Sequence, residues 1–200
     1  MLFRSHSGRH AILDRLKELG FELGHDEIDR FFKYFKDLAD RKKQIFDEDL
    51  VALIGESMYR DDVKRRYKVV NVQISTGMSS PPIALVTLRD HFNNNEETFE
   101  VAHGNGGVDA GITAVKKITG THASLKAFNL VAITGGSDAL SEVSSTVAED
   151  FGGRELKVFG TGVSIDISIA GILSFVDGLN KLEHLKKIEQ LRSDVHNVSL

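Results

Sequence analysis

The sequence predicts an α+β fold in which small helical subdomains precede a pseudo-two-fold domain of two βββα units. Three observations carry that prediction. Apolar residues recur at helical spacing up to about residue 54. Beyond residue 66 the period changes to two. The order strand, strand, strand, helix then occurs twice, with "HGNG" at 103–106 recurring as "FGTG" at 159–162 and "ISTGMSS" at 74–80 lying over "ITGGSDA" at 133–139. Two copies are too few for a solenoid, so each sheet should cover its apolar face with helices. Dimerisation through the pseudo-symmetric surfaces suits such a domain.

Taken in order, Ile12, Leu13, Leu16 and Leu19 form one helical stripe, capped in front by Ser7 and ended by Gly20. Ile28, Phe31, Phe32, Phe35, Leu38 and Ala39 form a second, with Asp26 as its N-cap, and a short third helix is expected from Asp47 through Leu53 with Gly55 after it. These stripes read as packing faces. Residues 56–66, "ESMYRDDVKRR", are rich in charge and poor in apolar residues, and read as an exposed linker between helical subdomains at 1–55 and a domain at 67–187. The basic cluster "KRRYK" at 64–68 belongs to that solvated connection. Strands are expected at 67–75, 83–88 and 97–103, separated by Pro81-Pro82 and by the asparagine turn at 93–95, with a helix from Val108 to Ile118. The second unit offers strands at 128–134, 141–149 and 155–162, then a helix from Asp166 to Lys187; residues 188–200 read as a tail.

The composition excludes several functions. A net charge of −4 and a pI near 6.1 argue against a nucleic-acid binder, whose footprint would be a basic face. No apolar run is long enough to span a bilayer, and the N-terminus lacks the apolar core of a secretory signal, so the cytoplasm is the expected compartment. With no cysteine there is no disulfide and no thiolate chemistry.

The loop "HGNGGVDA" at 103–110 joins a strand to a helix, the place where backbone N–H groups and the helix dipole often hold a phosphate. It matches neither nucleotide fingerprint. A G-x-G-x-x-G pattern needs glycine where Asp109 stands, and no lysine follows until Lys116. A tight turn is the plain reading. A ligand carrying both a carboxylate and an ammonium group, such as a free amino acid, would use the glycine N–H groups and the acidic side chain together. His6 and His10 in "HSGRH" have the four-residue spacing of a helical zinc pair, but Ser7-Gly8 disfavours a helix there and the metalloprotease glutamate is missing. There is no G-x-S-x-G elbow, and no nucleophile, base and oxyanion hole assemble into a catalytic site. No metal ligand is assigned in this chain.

Five stretches, "HSGRHAILDRLKELGFEL", "FKDLADRKKQIFDEDLVALI", "HGNGGVDA", "AITGGSDA" and "GTGVSIDI", occur in one order over nearly the whole chain. Together they resemble the C-terminal part of 2-isopropylmalate synthase. The resemblance implies an enzyme of leucine biosynthesis that condenses acetyl-CoA with 2-oxoisovalerate at a divalent metal in an N-terminal TIM barrel. It implies a C-terminal regulatory domain of paired βββα units that binds leucine and inhibits the barrel, in a homodimer. This sequence has neither the barrel nor its His-x-His motif, so the chain alone is expected to be inactive and to lack the metal. Its opening, "MLFRSHSGRHA" where the family usually reads "LGKHSGRHA", reads as a truncated gene fragment. Carried over by motif, Gly104, Asn105, Gly106 and Asp109 would hold the leucine backbone groups, while Leu125, Ala132, Ala139 and Ile167 would line its side-chain pocket. Gly107 stands where the family usually has proline, and Ser168-Ile169-Ala170 replace Glu-Ala-Ser. The same portion of citramalate synthase, answering to isoleucine, is an alternative, as is a free-standing amino-acid-binding dimerisation module.

Overall fold

The computed structural model describes residues 8–19, 21, 23–41, 45–47, 49, 50, 53, 54, 65–132 and 140–198. Helix α1 (Arg9–Glu18) starts after Gly8, which is extended and donates no side-chain cap, while the expected caps Ser7 and Gly20 lie outside the described residues. Helix α2 (His25–Arg41) carries Phe31, Phe32 and Phe35, whose rings meet at centroid distances of 5.5 to 6.3 Å. The side chain of its expected N-cap, Asp26, is likewise outside the described set. Two arginines of α1 fasten this helical region. Arg9 pairs with Asp29 at 2.6 Å and lies over the Phe32 ring, and Arg15 spans both carboxylate oxygens of Asp47. Those hydrogen bonds hold the Asp47 carboxyl down at about 2. The third helix falls only partly within the described residues, where Leu50, Leu53 and Ile54 are buried.

Beyond residue 66 the chain forms two three-stranded antiparallel sheets, β1 (Tyr67–Ser75), β2 (Ile83–Asp90), β3 (Glu96–His103) and β4 (Ser124–Ala132), β5 (Ser141–Phe151), β6 (Arg154–Ser164), each in sequential order. Helix α3 (Gly107–Thr119) follows the first sheet and α4 (Ile167–Val198) the second. The α+β class and the doubled βββα order are therefore as the sequence implied. The repeat extends to a shared irregularity, because β1 shifts register between Val69 and Asn71 and β4 shifts between Leu125 and Ala127. The hairpin turns differ. Asn94 and Asn95 take positive φ before β3, whereas Gly152 and Gly153 do so before β6.

Strand β4 begins at Ser124, four residues ahead of the expected Phe128. "SLKA" has little intrinsic strand preference, but β5 runs on to Phe151 and offers Val147 and Ala148 as partners, so pairing extends the strand. Helix α4 runs past Lys187 to Val198, through the segment read as a tail, since no glycine or proline interrupts "IEQLRSDVHNV". Arg66 is not a solvated linker residue. It pairs with Asp90 at 3.1 Å and Glu183 at 3.2 Å, and the next residue, Tyr67, is buried.

The helices pack on the inner sheet faces and on each other, with α4 also reaching β1. Small residues set their separation. A Cβ on Gly111 would lie 2.1 Å from Ile172, and one on Gly171 would press into Val108 and Phe128. The helical region touches the second unit through Arg154, which donates to the Leu19 carbonyl at 2.9 Å and stacks on Phe21.

Candidate functional site

The chain leaves β3 at His103 and enters α3 within four residues. Gly104 donates to the Pro82 carbonyl at 3.1 Å, and a Cβ there would sit 2.4 Å from the Ala110 nitrogen, so glycine is required by close backbone approach. Gly106 is the N-cap of α3, extended and without a side-chain cap. Asp109, in the first helical turn, replaces that cap: its Oδ2 accepts the Asn105 backbone N–H at 2.8 Å and the Asn105 Nδ2 at 3.3 Å. Its charge also complements the positive helix end. An acidic side chain already seated on the loop would repel a phosphate, which agrees with the failed nucleotide fingerprints.

The matching motif "FGTG" plays a different part. Although "FGTG" recurs where "HGNG" stands in the first unit, residues 159–162 do not make a second strand-to-helix turn; they lie inside β6, within the strand expected at 155–162. A Cβ on Gly160 would stand 2.0 Å from the Ser174 carbonyl oxygen, and one on Gly162 would stand 2.1 Å from that of Ala170. These glycines let the α4 backbone rest on the strand. The real turn comes later, where Asp166 Oδ1 accepts the N–H groups of Ser168 at 2.7 Å and Ile169 at 3.1 Å.

The two helix starts converge. Gly107 faces Ile74 of β1 and Ser168 of α4, with room so limited that a Cβ would meet both at 3.0 Å. Val108 and Phe128 close on Gly171, and Phe128, Leu130, Val163, Ile165 and Ile167 are exposed apolar side chains near this end. Of the residues carried over by motif, Gly104, Asn105, Gly106 and Asp109 form one hydrogen-bonded loop. Ile167 opens α4 and is exposed. Ala132 pairs with Ser141 at the end of the β4–β5 ladder, while its side chain and the whole of Ala139 lie outside the described residues. Leu125 stands apart. It packs against the core at the start of β4, beyond the far end of α3, whose 13 residues span roughly 20 Å. His6 is outside the described residues and His10 is exposed on α1. Among the described residues no group of three or more His, Asp or Glu side chains is placed to hold a metal, and no helix is long and apolar enough to cross a membrane.

Sequence reasoning missed a polar trio on α4. Asp177, Asn180 and Lys181 are all buried. Asn180 donates to the Tyr67 carbonyl and accepts the Tyr67 N–H, both at 2.8 Å. Asp177 accepts the Thr161 N–H at 3.1 Å, and Lys181 donates to the Phe159 carbonyl at 2.9 Å. Three polar residues at helical spacing in an apolar stretch were a visible signal.

The family model for the LeuA allosteric (dimerisation) domain matches residues 44–183. The chain belongs to that family. A second model, homocitrate synthase post-HMGL domain-like, matches residues 1–43. The chain is 40% identical over 182 residues to the 2-isopropylmalate synthase of Syntrophus aciditrophicus (strain SB), covering 91% of this chain and 34% of that protein. It is 37% identical over 193 residues to the enzyme of the same name from Aquifex aeolicus (strain VF5), covering 94% and 36%. It is 33% identical over all 200 residues to that of Geobacillus sp. (strain WCH70), covering 37% of the relative. The chain thus spans about a third of the length of these curated relatives. The likeness inferred from the five motifs is borne out, and the LeuA domain it matches is the paired-sheet region that contains the Gly104–Asp109 loop.

Proposed function

We propose that this chain is the regulatory portion of a 2-isopropylmalate synthase, dimeric, and that it senses leucine to inhibit condensation of acetyl-CoA with 2-oxoisovalerate by a metal-dependent catalytic barrel. The observation that carries this reading is the loop in which Asp109 holds Asn105 beside the open N-terminus of α3, next to exposed apolar side chains at the start of α4. A free amino acid matches each part. Its carboxylate takes the positive end of α3, where the first N–H groups have no intrahelical acceptor. Its ammonium group takes Asp109, and its aliphatic side chain lies against Ile167 and the neighbouring apolar residues, with Ala132 and Ala139 completing the pocket. Leu125, which stands apart from this end of its own chain, would reach the pocket only from the partner protomer. In this reading the condensation chemistry and its metal belong to the barrel, and the chain alone is inactive.

Calorimetric titration with leucine, isoleucine and valine tests the reading, with a parallel rise in melting temperature because a ligand of the folded state stabilises it by mass action. Saturable binding with leucine preferred is expected. Preference for isoleucine would move the chain to the citramalate synthase type, no response to any of the three would leave dimerisation as its role, and condensation activity in the isolated chain would refute its inactivity.

A further inference from the structure

A cleft of about 450 Å³ lies on the other side of α4 from the helix crossing, between the outer edges of β1 and β6. Its walls are Tyr67 and Val69 on one strand and Thr161 and Val163 on the other, and its floor is Leu173, Val176, Asp177 and Asn180 of α4. In an antiparallel pair, alternate residues turn both N–H and C=O away from the neighbouring strand. Tyr67 does so on β1, since both its backbone groups are taken by Asn180, and Val69 has the same parity. Thr161 does so on β6, since its N–H goes to Asp177, and Val163 shares that parity. The helix therefore imitates a missing strand at Tyr67, Phe159 and Thr161, and stops there. None of the described residues supplies a partner to the outward peptide groups of Val69 or Val163.

We propose that this cleft binds a short, extended, acidic peptide segment by strand addition to the open edges. Unpaired edge groups are satisfied by another extended backbone. The floor from Leu173 to Asn180 runs about 10 Å along α4, the length of roughly three strand residues. The rim is basic, with Arg65, Lys68 and His91, while the one acidic floor residue, Asp177, is already engaged by Lys181 at 3.1 Å and Arg65 at 3.6 Å. Apolar side chains of the peptide rest on Leu173 and Val176, and its carboxylates face the rim. The cleft contains none of Gly104, Asn105, Gly106 and Asp109, and shares Val163 with the apolar side chains near the helix starts.

Fluorescence anisotropy of the full chain at low salt with fluoresceinyl-Glu-Val-Glu-Val-Glu-amide tests this. Saturable binding is expected, weakened about tenfold or more by N-methylation of both valines, which removes peptide donors and keeps charge, and equally by Val163→Pro, which deletes an outward N–H and leaves the β5 ladder intact. The fluoresceinyl-Lys-Val-Lys-Val-Lys-amide peptide should not bind. Absence of saturable binding up to about 1 mM, equal binding of the N-methylated peptide, or equal binding of the lysine peptide would each overturn the proposal. The N-methylated peptide uses unmodified protein, so the result stands even if Val163→Pro fails to fold.

Discussion

In the first unit the chain turns from β3 into α3 on glycines, with Asp109 reaching back to the loop; in the second, the matching glycines are buried in β6 and Asp166 caps α4 directly. The units share strand order, antiparallel pairing and a register shift in their first strand, so the difference is local. Both units carry the "G-x-G" residues and use them differently. In one copy they leave an open helix end with an acidic group beside it, and in the other they bring a helix backbone onto a strand.

The largest effects should come from glycines of the second copy. Gly160→Ala and Gly162→Ala force a Cβ into the α4 backbone and should cost about 3 kcal/mol or more, lowering the melting temperature by on the order of 10 °C. Gly106→Ser in the first copy should change stability by less than about 0.5 kcal/mol, because a Cβ there meets nothing within 4 Å and serine suits an extended N-cap. Similar melting of all three variants would break the comparison.

Next in size is Asn180→Leu, which leaves the buried Tyr67 N–H and C=O unpaired and should cost about 2–3 kcal/mol in chemical unfolding. Asp166→Ala should cost about 1 kcal/mol through loss of the α4 cap without altering leucine affinity. Asp109→Asn should do the reverse, with little change in melting and a loss of leucine binding of tenfold or more.

The smallest effect concerns the titrating groups packed along α4. Lys186 lies between Glu149 at 2.5 Å and Glu183 at 3.0 Å; burial works against its charge, but the two carboxylates outweigh it and raise its pKa. Burial also pushes the Tyr67 hydroxyl up to about 12. Both shifts are upward, so their stabilisation is complete below pH 10 and fades as pH rises through the folded values. Alkaline melts should therefore show a fall beginning near pH 10, part of which Tyr67→Phe removes. The Arg15–Asp47 pair responds oppositely. Its carboxyl is depressed, so its contribution is present above about pH 4 and lost toward pH 2.

These contrasts also show what the sequence could convey. Period-two stretches placed β1, β2, β3 and β5 within two residues of their ends, because their alternation faces a helix on one side and solvent on the other. Ser124 was missed because pairing, not local propensity, draws it into β4. The stop at Lys187 failed because fading amphipathicity does not end a helix that meets no breaker. At the site, Gly104, Asn105, Gly106 and Asp109 were legible as one loop because they are contiguous. Leu125 and Ile167 could be located only through the fold, since their neighbours come from distant parts of the chain. The shared "G-x-G" of "HGNG" and "FGTG" serves a turn in one copy and a helix seat in the other, a distinction set by packing against Ser174 and Ala170 and not by the letters.

The central claim is that effector binding belongs to the first copy's turn. Backbone amide chemical shifts of the isotope-labelled chain, followed during a leucine titration, test it most directly. Saturable shifts should appear at Gly104, Asn105 and Gly106 and at the α4 start around Ile167, with Gly160 and Thr161 unmoved. Shifts confined to the second copy, or none in the Gly104–Gly106 loop, would contradict the account.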